Sequence, residues 1–255
     1  MSIESNIRQA FTPSGALRVA LNMGNPVLAH SRTAHERPAG VSIDIAREFA
    51  RRIGCDAVTL LPFDTPGEAW RALADGQADI GFLAIDPQRG AQVHFTQAYV
   101  QIEGSYLVRN DSPLKHCADV DRPGIDIVVG QQSAYDLFLS RAIQAAQLVR
   151  VPTSEEVADA MLRRPGLQVA AGIRQQLEAD VRRIGAQGID NVRLLEGCFM
   201  VIQQAMVMPR QRGEAAEAFL ERFIDDMKTS GFVADALQRH GIEGATVVQG
   251  KGSVA

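Results

Sequence analysis

The sequence predicts an α/β protein of two lobes, each a mainly parallel sheet flanked by helices. Three observations carry that prediction. Apolar runs of strand length alternate with stretches of helical period, the order that parallel sheets require. A polar, proline-containing connection then interrupts the alternation up to residue 123. Beyond it a second strand–helix series begins, and the chain is long enough for two halves with cores of their own.

The elements follow in order. "LRVALN" (17–22) is a short apolar strand. "GVSIDIAREFARRIG" (40–54) is an amphipathic helix, because Ile43, Ile45, Ala46, Phe49, Ala50 and Ile53 share one face and Gly54 suits its end. A strand over 57–63, a helix over 66–77 and the buried strand "ADIGFLAI" (78–85) complete a βαβαβ series. Trp70 and Phe49 fit helix core positions. "FLAIDPQRGAQVHFTQAY" (82–99) then runs from an apolar strand through an Asp-Pro turn carrying Arg89 into an amphipathic strand, and "GSYLVRN" (104–110) is a further strand.

The second series comprises strands at 124–130, 148–152 and 167–172 and helices at 133–146, 154–164 and 174–185. Strands at 192–197 and 200–209, helices at 212–231 and 232–241 and a Gly-rich tail close the chain. Joined near residues 104 and 205, the halves would enclose a cleft at the carboxyl ends of parallel strands, the usual place for a small ligand.

Composition narrows the function classes. The net charge of −4, without a basic run, excludes nucleic acid as a partner. Cys55, Cys117 and Cys198 have no CxxC spacing and the histidines are scattered, so neither a disulfide framework nor a metal or other cofactor is expected. No N-terminal apolar run has the length of a signal peptide or a membrane span, which by itself predicts a cytoplasmic protein without membrane insertion.

Several stretches, in this order and spacing, resemble the family 3 extracellular solute-binding proteins, the type II periplasmic-binding fold used by amino-acid ABC importers. "ALRVALN" with "PAGVSIDIAREFARRIG" is similar to the family's opening strand and helix. "LADGQADIGFLAIDPQRGAQVHFTQAY" resembles its signature region, with Asp79 starting a strand and a turn delivering Arg89. "VVGQQSAYDLFL" is similar to the opening of its second lobe, and "FLERFIDDMKTSGFVADALQRHG" to its closing helices. The resemblance spans about 15–243 and implies a discontinuous lobe 1 (1–104 plus 206–255), a lobe 2 (105–205) and a two-strand hinge of "VQIEGSYLV" and "VIQQAMV". It further implies a non-catalytic binder that closes on a small organic or amino acid, with an ABC permease as partner, a periplasmic location and a monomeric or dimeric state.

Residue by residue, the turn alone leaves Arg89 open between a solvated charge and a ligand grip. The resemblance makes it the arginine whose planar fork holds the ligand's α-carboxylate. Ser133 suits a helix N-cap with Asp136 at N3, and the family places its counterpart over the same carboxylate; Gln132 stands where the family has glycine. Asn25 is either pocket wall or an Asn-Pro turn. Where relatives that bind α-amino acids carry an ammonium-pairing aspartate, this chain has Ile173, followed by Arg174 and Gln175, and Ala84 replaces a frequent hydroxyl residue. A carboxylate ligand without an α-ammonium is therefore expected. Glu103 and Gln203 or Gln204 lie on the hinge strands, and Glu103 is the candidate acid for the alternative, a cytosolic lyase resembling cyclohexadienyl dehydratase.

Overall fold

The computed structural model describes residues 3–31, 37–188 and 191–249; the end of the Gly-rich tail, 250–255, lies outside them. The chain divides into two compact units, Met1–Gln101 with Gln203–Ala255, and Ile102–Ile202. Unit 1 opens with α1 (Ile3–Phe11), β1 (Leu17–Asn22), α2 (Val41–Arg52), β2 (Val58–Phe63), α3 (Pro66–Ala74), β3 (Ile80–Ala84) and the first part of β4 (Val93–Arg109). Unit 2 holds the rest of β4, then β5 (Asp126–Gly130), α4 (Ala134–Ala142), β6 (Gln147–Val151), α5 (Val157–Arg163), β7 (Val169–Ile173), α6 (Arg174–Ala186) and β8 (Val192–Leu194). The chain returns to unit 1 within β9 (Met200–Pro209) and ends with α7 (Glu214–Thr229), α8 (Phe232–Arg239) and the short β10 (Thr246–Val247).

Each unit has a parallel centre. In unit 1, β1 lies parallel to β2 and β3, and β9 adds to β3 antiparallel. In unit 2, β5 lies parallel to β6 and β7, while β7 and β8 run antiparallel to β4. All five residues of β3 are buried, which is why it reads as an unbroken apolar run rather than an alternating one. Helix α3 packs Ala69, Ala72 and Leu73 against Ala20, Leu83 and Val207 of the unit 1 sheet. In unit 2, Val157 and Met161 of α5 and Leu177 and Ile184 of α6 meet Leu107, Val128 and Ala170 of the sheet.

Three departures from the expected elements have local causes. Helix α4 stops at Ala142 instead of 146, because the Asp121 carboxylate accepts from the backbone N–H groups of Gln144, Ala145 and Ala146 at 3.0, 2.8 and 2.9 Å. Those three bonds compete with helix propagation and hold the Asp121 carboxyl below its usual range. The two strands expected on either side of residue 100 are one strand of 17 residues, β4. Helix α1 has no counterpart in the sequence reading; nine residues are too few to persist alone, and it is held by burying Ile7 and Phe11, the latter edge-on to Phe49 at 4.8 Å.

A buried carboxylate ties unit 1 together ahead of the site. Asp79 is fully buried, and its Oδ2 accepts from the Arg18 backbone N–H at 2.9 Å and from Arg18 Nε at 3.0 Å. Its Oδ1 accepts from Arg18 Nη2 at 2.8 Å and from Arg212 Nη2. The acidic residue that opens the signature region is thus a structural link between β1, the start of β3 and the chain entering α7.

Candidate functional site

In unit 1 the polar residues gather beyond the carboxyl ends of β1 and β3. The chain leaves β3 through Ala84, which is buried, and Ile85, which is 40% exposed and donates its N–H to the Gln203 carbonyl at 2.8 Å. Asp86 then shapes the turn: its Oδ1 accepts from the Gln88 N–H at 2.9 Å, and its carbonyl accepts from the Gly90 N–H at 3.1 Å. A short 3₁₀ turn over Arg89–Ala91 follows. Two side chains grip its carbonyls. Trp70 Nε1 donates to the Arg89 carbonyl at 3.3 Å, and Arg210 donates to the Gly90 carbonyl from Nε at 3.0 Å and Nη2 at 2.8 Å.

The turn holds a guanidinium out of water. Arg89 is 3% exposed, and burial pushes its pKa down to about 10 against the opposing charge of Asp86. Burial therefore outweighs the attraction of Asp86, yet the group stays protonated at neutral pH. A desolvated cation of this kind binds an arriving anion more strongly than an exposed one does. The solvated-charge reading of Arg89 does not fit this burial.

Of the two readings that the sequence left open, Asn25 forms the turn. Its carbonyl accepts from the N–H groups of Leu28 and Ala29, each at 3.1 Å, so the turn is real. The side chain is also buried, and its Oδ1 has no hydrogen-bond partner among the described residues. The loop sits close on α2 through Gly40, whose φ of 135° and lack of a side chain admit the Leu28 carbonyl; a Cβ there would stand 2.4 Å from that oxygen.

In unit 2, Ser133 is a true N-cap of α4: its Oγ accepts from the Asp136 N–H at 3.0 Å. Asp136 in turn accepts from the Gln132 N–H at 2.9 Å through Oδ2 and from Arg150 Nε at 2.9 Å through Oδ1. Two N–H groups of this helix start are thus engaged by protein oxygens. Gln132 has φ 61°, and among the described residues it is the one non-glycine residue with positive φ. It holds a left-handed backbone shape that glycine adopts freely while carrying a side chain, at a cost of about 1 kcal/mol. Gln132→Gly is accordingly expected to raise the thermal unfolding midpoint by roughly 2–4 °C, read by calorimetry.

Arg174 is the first residue of α6, and its Nε donates to Glu103 Oε2 at 2.7 Å while its Nη2 donates to the Gly197 carbonyl at 2.6 Å. Glu103, 45% exposed as a side chain, lies in a charged pair rather than an apolar pocket. Ile173, at the end of β7, is buried and apolar. Gln203 is exposed and Gln204 buried, as expected of neighbours on a strand. Trp70 and Arg210 had no signal in the sequence, since both act through backbone carbonyls; Asp86 had one, the Asp two residues before Gln88 in a proline turn.

A model of the family described as bacterial extracellular solute-binding proteins, family 3, matches residues 17–242. Among curated proteins none matches significantly. Solved structures do. The binding component of an ABC transporter from Wolinella succinogenes, complexed with lysine, is 20% identical, with 88% of this chain and 95% of that one covered at a TM-score of 0.72. An amino acid ABC transporter substrate-binding protein from Streptococcus pneumoniae, bound to L-arginine, is 14% identical over 91% and 97% of the two chains, at 0.75. A solute receptor for L-cysteine from Neisseria gonorrhoeae is 16% identical over 91% and 92%, also at 0.75. At these identities the likeness is one of fold, the type II periplasmic-binding fold.

Proposed function

The chain belongs to the bacterial extracellular solute-binding proteins of family 3, and from that premise we propose that it binds a small carboxylic acid through Arg89. The observation that carries this reading is the buried guanidinium on a turn fixed by Asp86, Trp70 and Arg210. A fork whose position is set in advance loses little freedom on binding a carboxylate, and its desolvation is already complete. Asn25, whose buried amide oxygen has no hydrogen-bond partner among the described residues, is the second ligand contact of unit 1. In unit 2, Ser133 and Gln132 shape the start of α4, and Arg174 and Glu103 form a charged pair; Gln203 fixes Ile85 from the neighbouring strand.

The ligand is a carboxylate without an α-ammonium, such as a keto acid, hydroxy acid or diacid. At the position where relatives that bind α-amino acids are expected to carry an ammonium-pairing aspartate, Ile173 offers no charge, and the carboxylate of Glu103 is already engaged by Arg174. An ammonium desolvated without an anion would cost several kcal/mol. Family membership makes the chain a binding protein rather than an enzyme, and the paired, half-exposed Glu103 lacks the desolvated setting that a general acid needs. An ABC permease is the partner that fits such a binder, and the outer side of the cytoplasmic membrane its place of work; among the described residues no helix is long and apolar enough to cross a membrane.

Thermal shift against a panel of organic and amino acids tests the reading. A matching acid at a hundred times its Kd should stabilise by about 2.7 kcal/mol, raising the midpoint by roughly 5–10 °C. The decisive contrast is 2-oxoglutarate against glutamate and similar pairs. A consistent preference for the amino member would overturn the assignment without ammonium, and no shift with any acid would overturn the carboxylate itself.

A further inference from the structure

Two of the three cysteines, Cys117 and Cys198, are brought to one place in unit 2, although 81 positions separate them in sequence. The connection is the segment between β8 and β9. Glu196 bridges to His116 in parallel fashion, its carbonyl accepts from the Cys117 N–H at 2.9 Å, and its N–H donates to the Lys115 carbonyl at 3.0 Å. One residue on, the Cys117 thiol lies 3.5 Å from the Gly197 carbonyl oxygen. That oxygen and the Cα of Cys198 flank the same peptide group, about 3 Å apart, so the Cys117 sulfur lies within about 6.5 Å of the Cys198 Cα. Side-chain rotation at Cys198 spans most of the remainder.

The segment is held on both sides. The Phe199 N–H donates to the Gly104 carbonyl at 3.0 Å, and the Phe199 ring stacks on Tyr106 at 4.4 Å. Gly197 turns the chain at φ 82°, and its carbonyl also accepts from Arg174 Nη2 at 2.6 Å. The two sulfurs differ in access: Cys198 is exposed and Cys117 buried, an arrangement of one attacking and one resolving thiol. Burial pushes the Cys117 thiol up and the nearby Cys198 adds to that, while Ser105, the Tyr106 backbone and Arg174 pull it down.

We propose that Cys117 and Cys198 are a redox pair, converted to a disulfide by a peroxide. The exposed Cys198 thiolate attacks one peroxide oxygen; the O–O bond breaks, hydroxide leaves and Cys198 becomes a sulfenic acid. The Cys117 sulfur then attacks the Cys198 sulfur. The S–S bond forms as the S–O bond breaks, and the departing hydroxide takes the Cys117 proton as water. Both thiols are oxidised and the peroxide is reduced to water. Cys55, whose thiol donates to the Ala57 carbonyl at 3.2 Å, takes no part.

The test is hydrogen peroxide treatment of the full folded chain, followed by tryptic mass mapping without reductant. Lys115 and Arg193 place the two cysteines in different peptides. The expected result is loss of two of three free thiols, a 117–198 linked peptide two mass units below the sum of its parts, and a thermal midpoint raised by at least about 5 °C, because the bond closes a loop of about 80 residues. Cys198→Ser should abolish the link, leave Cys117 reduced and remove the rise. Cys117→Ser should leave Cys198 as a sulfenic or more oxidised acid. A wild-type protein that remains folded by circular dichroism yet shows three free thiols, over-oxidised Cys198 or only intermolecular links would overturn the pair.

Discussion

Replacing Arg89 with alanine should weaken carboxylate binding about 100-fold, a loss near 3 kcal/mol by isothermal calorimetry, while the unfolding midpoint moves by no more than a few degrees. The two halves of this expectation have one cause. Burial of the guanidinium costs the folded protein more than Asp86 returns, which is what its depressed pKa records. Deleting the side chain therefore removes a charge that burial disfavours along with its packing, and these changes partly offset each other in stability. For the ligand the proposed loss is the charged fork itself, both its charge and its pair of parallel bonds. Arg89→Lys separates charge from geometry: it keeps the cation but donates from one point, and a loss of about tenfold would show that the parallel pair of bonds matters in its own right. Unchanged affinity in Arg89→Ala would remove Arg89 from the site altogether.

Asp79→Ala should be the most damaging single substitution to the fold, costing about 3 kcal/mol and lowering the midpoint on the order of 10 °C. Asp79 is fully buried and accepts from two arginines and a backbone N–H, so its removal leaves positive charge and a main-chain donor unanswered. The estimate sits at the lower end for a broken buried pair because Arg18 is 26% exposed as a side chain and water can reach it. Asp79→Asn keeps the shape and part of the bonding and should cost less. A midpoint within two degrees of the wild type for Asp79→Ala would show that the arginines simply turn to solvent.

The parallel centres of both units were legible because each strand bears a recognisable pattern: an unbroken apolar run in β3, and helical spacing in the neighbouring α2 and α3. What escaped depends on contacts between residues distant in sequence. Helix α1 exists because Phe11 finds Phe49 and Phe219, and α4 ends where Asp121 captures three N–H groups. The Arg89 turn announced itself through Asp-Pro and its setting, but its burial did not, because the side chains that seal it belong to distant elements. Likewise the pairing of Arg174 with Glu103 joins residues 71 positions apart, and only the fold reveals that the arginine is already engaged.

The bond from Trp70 to the Arg89 carbonyl has a practical consequence. Trp70 is the single tryptophan of the sequence, and its indole touches the backbone of the residue assigned to grip the ligand. Ultraviolet light that excites indole selectively thus interrogates one spot in 255 residues, with no label and no engineered probe. The molecule carries its own optical gauge of the turn proposed to hold its solute.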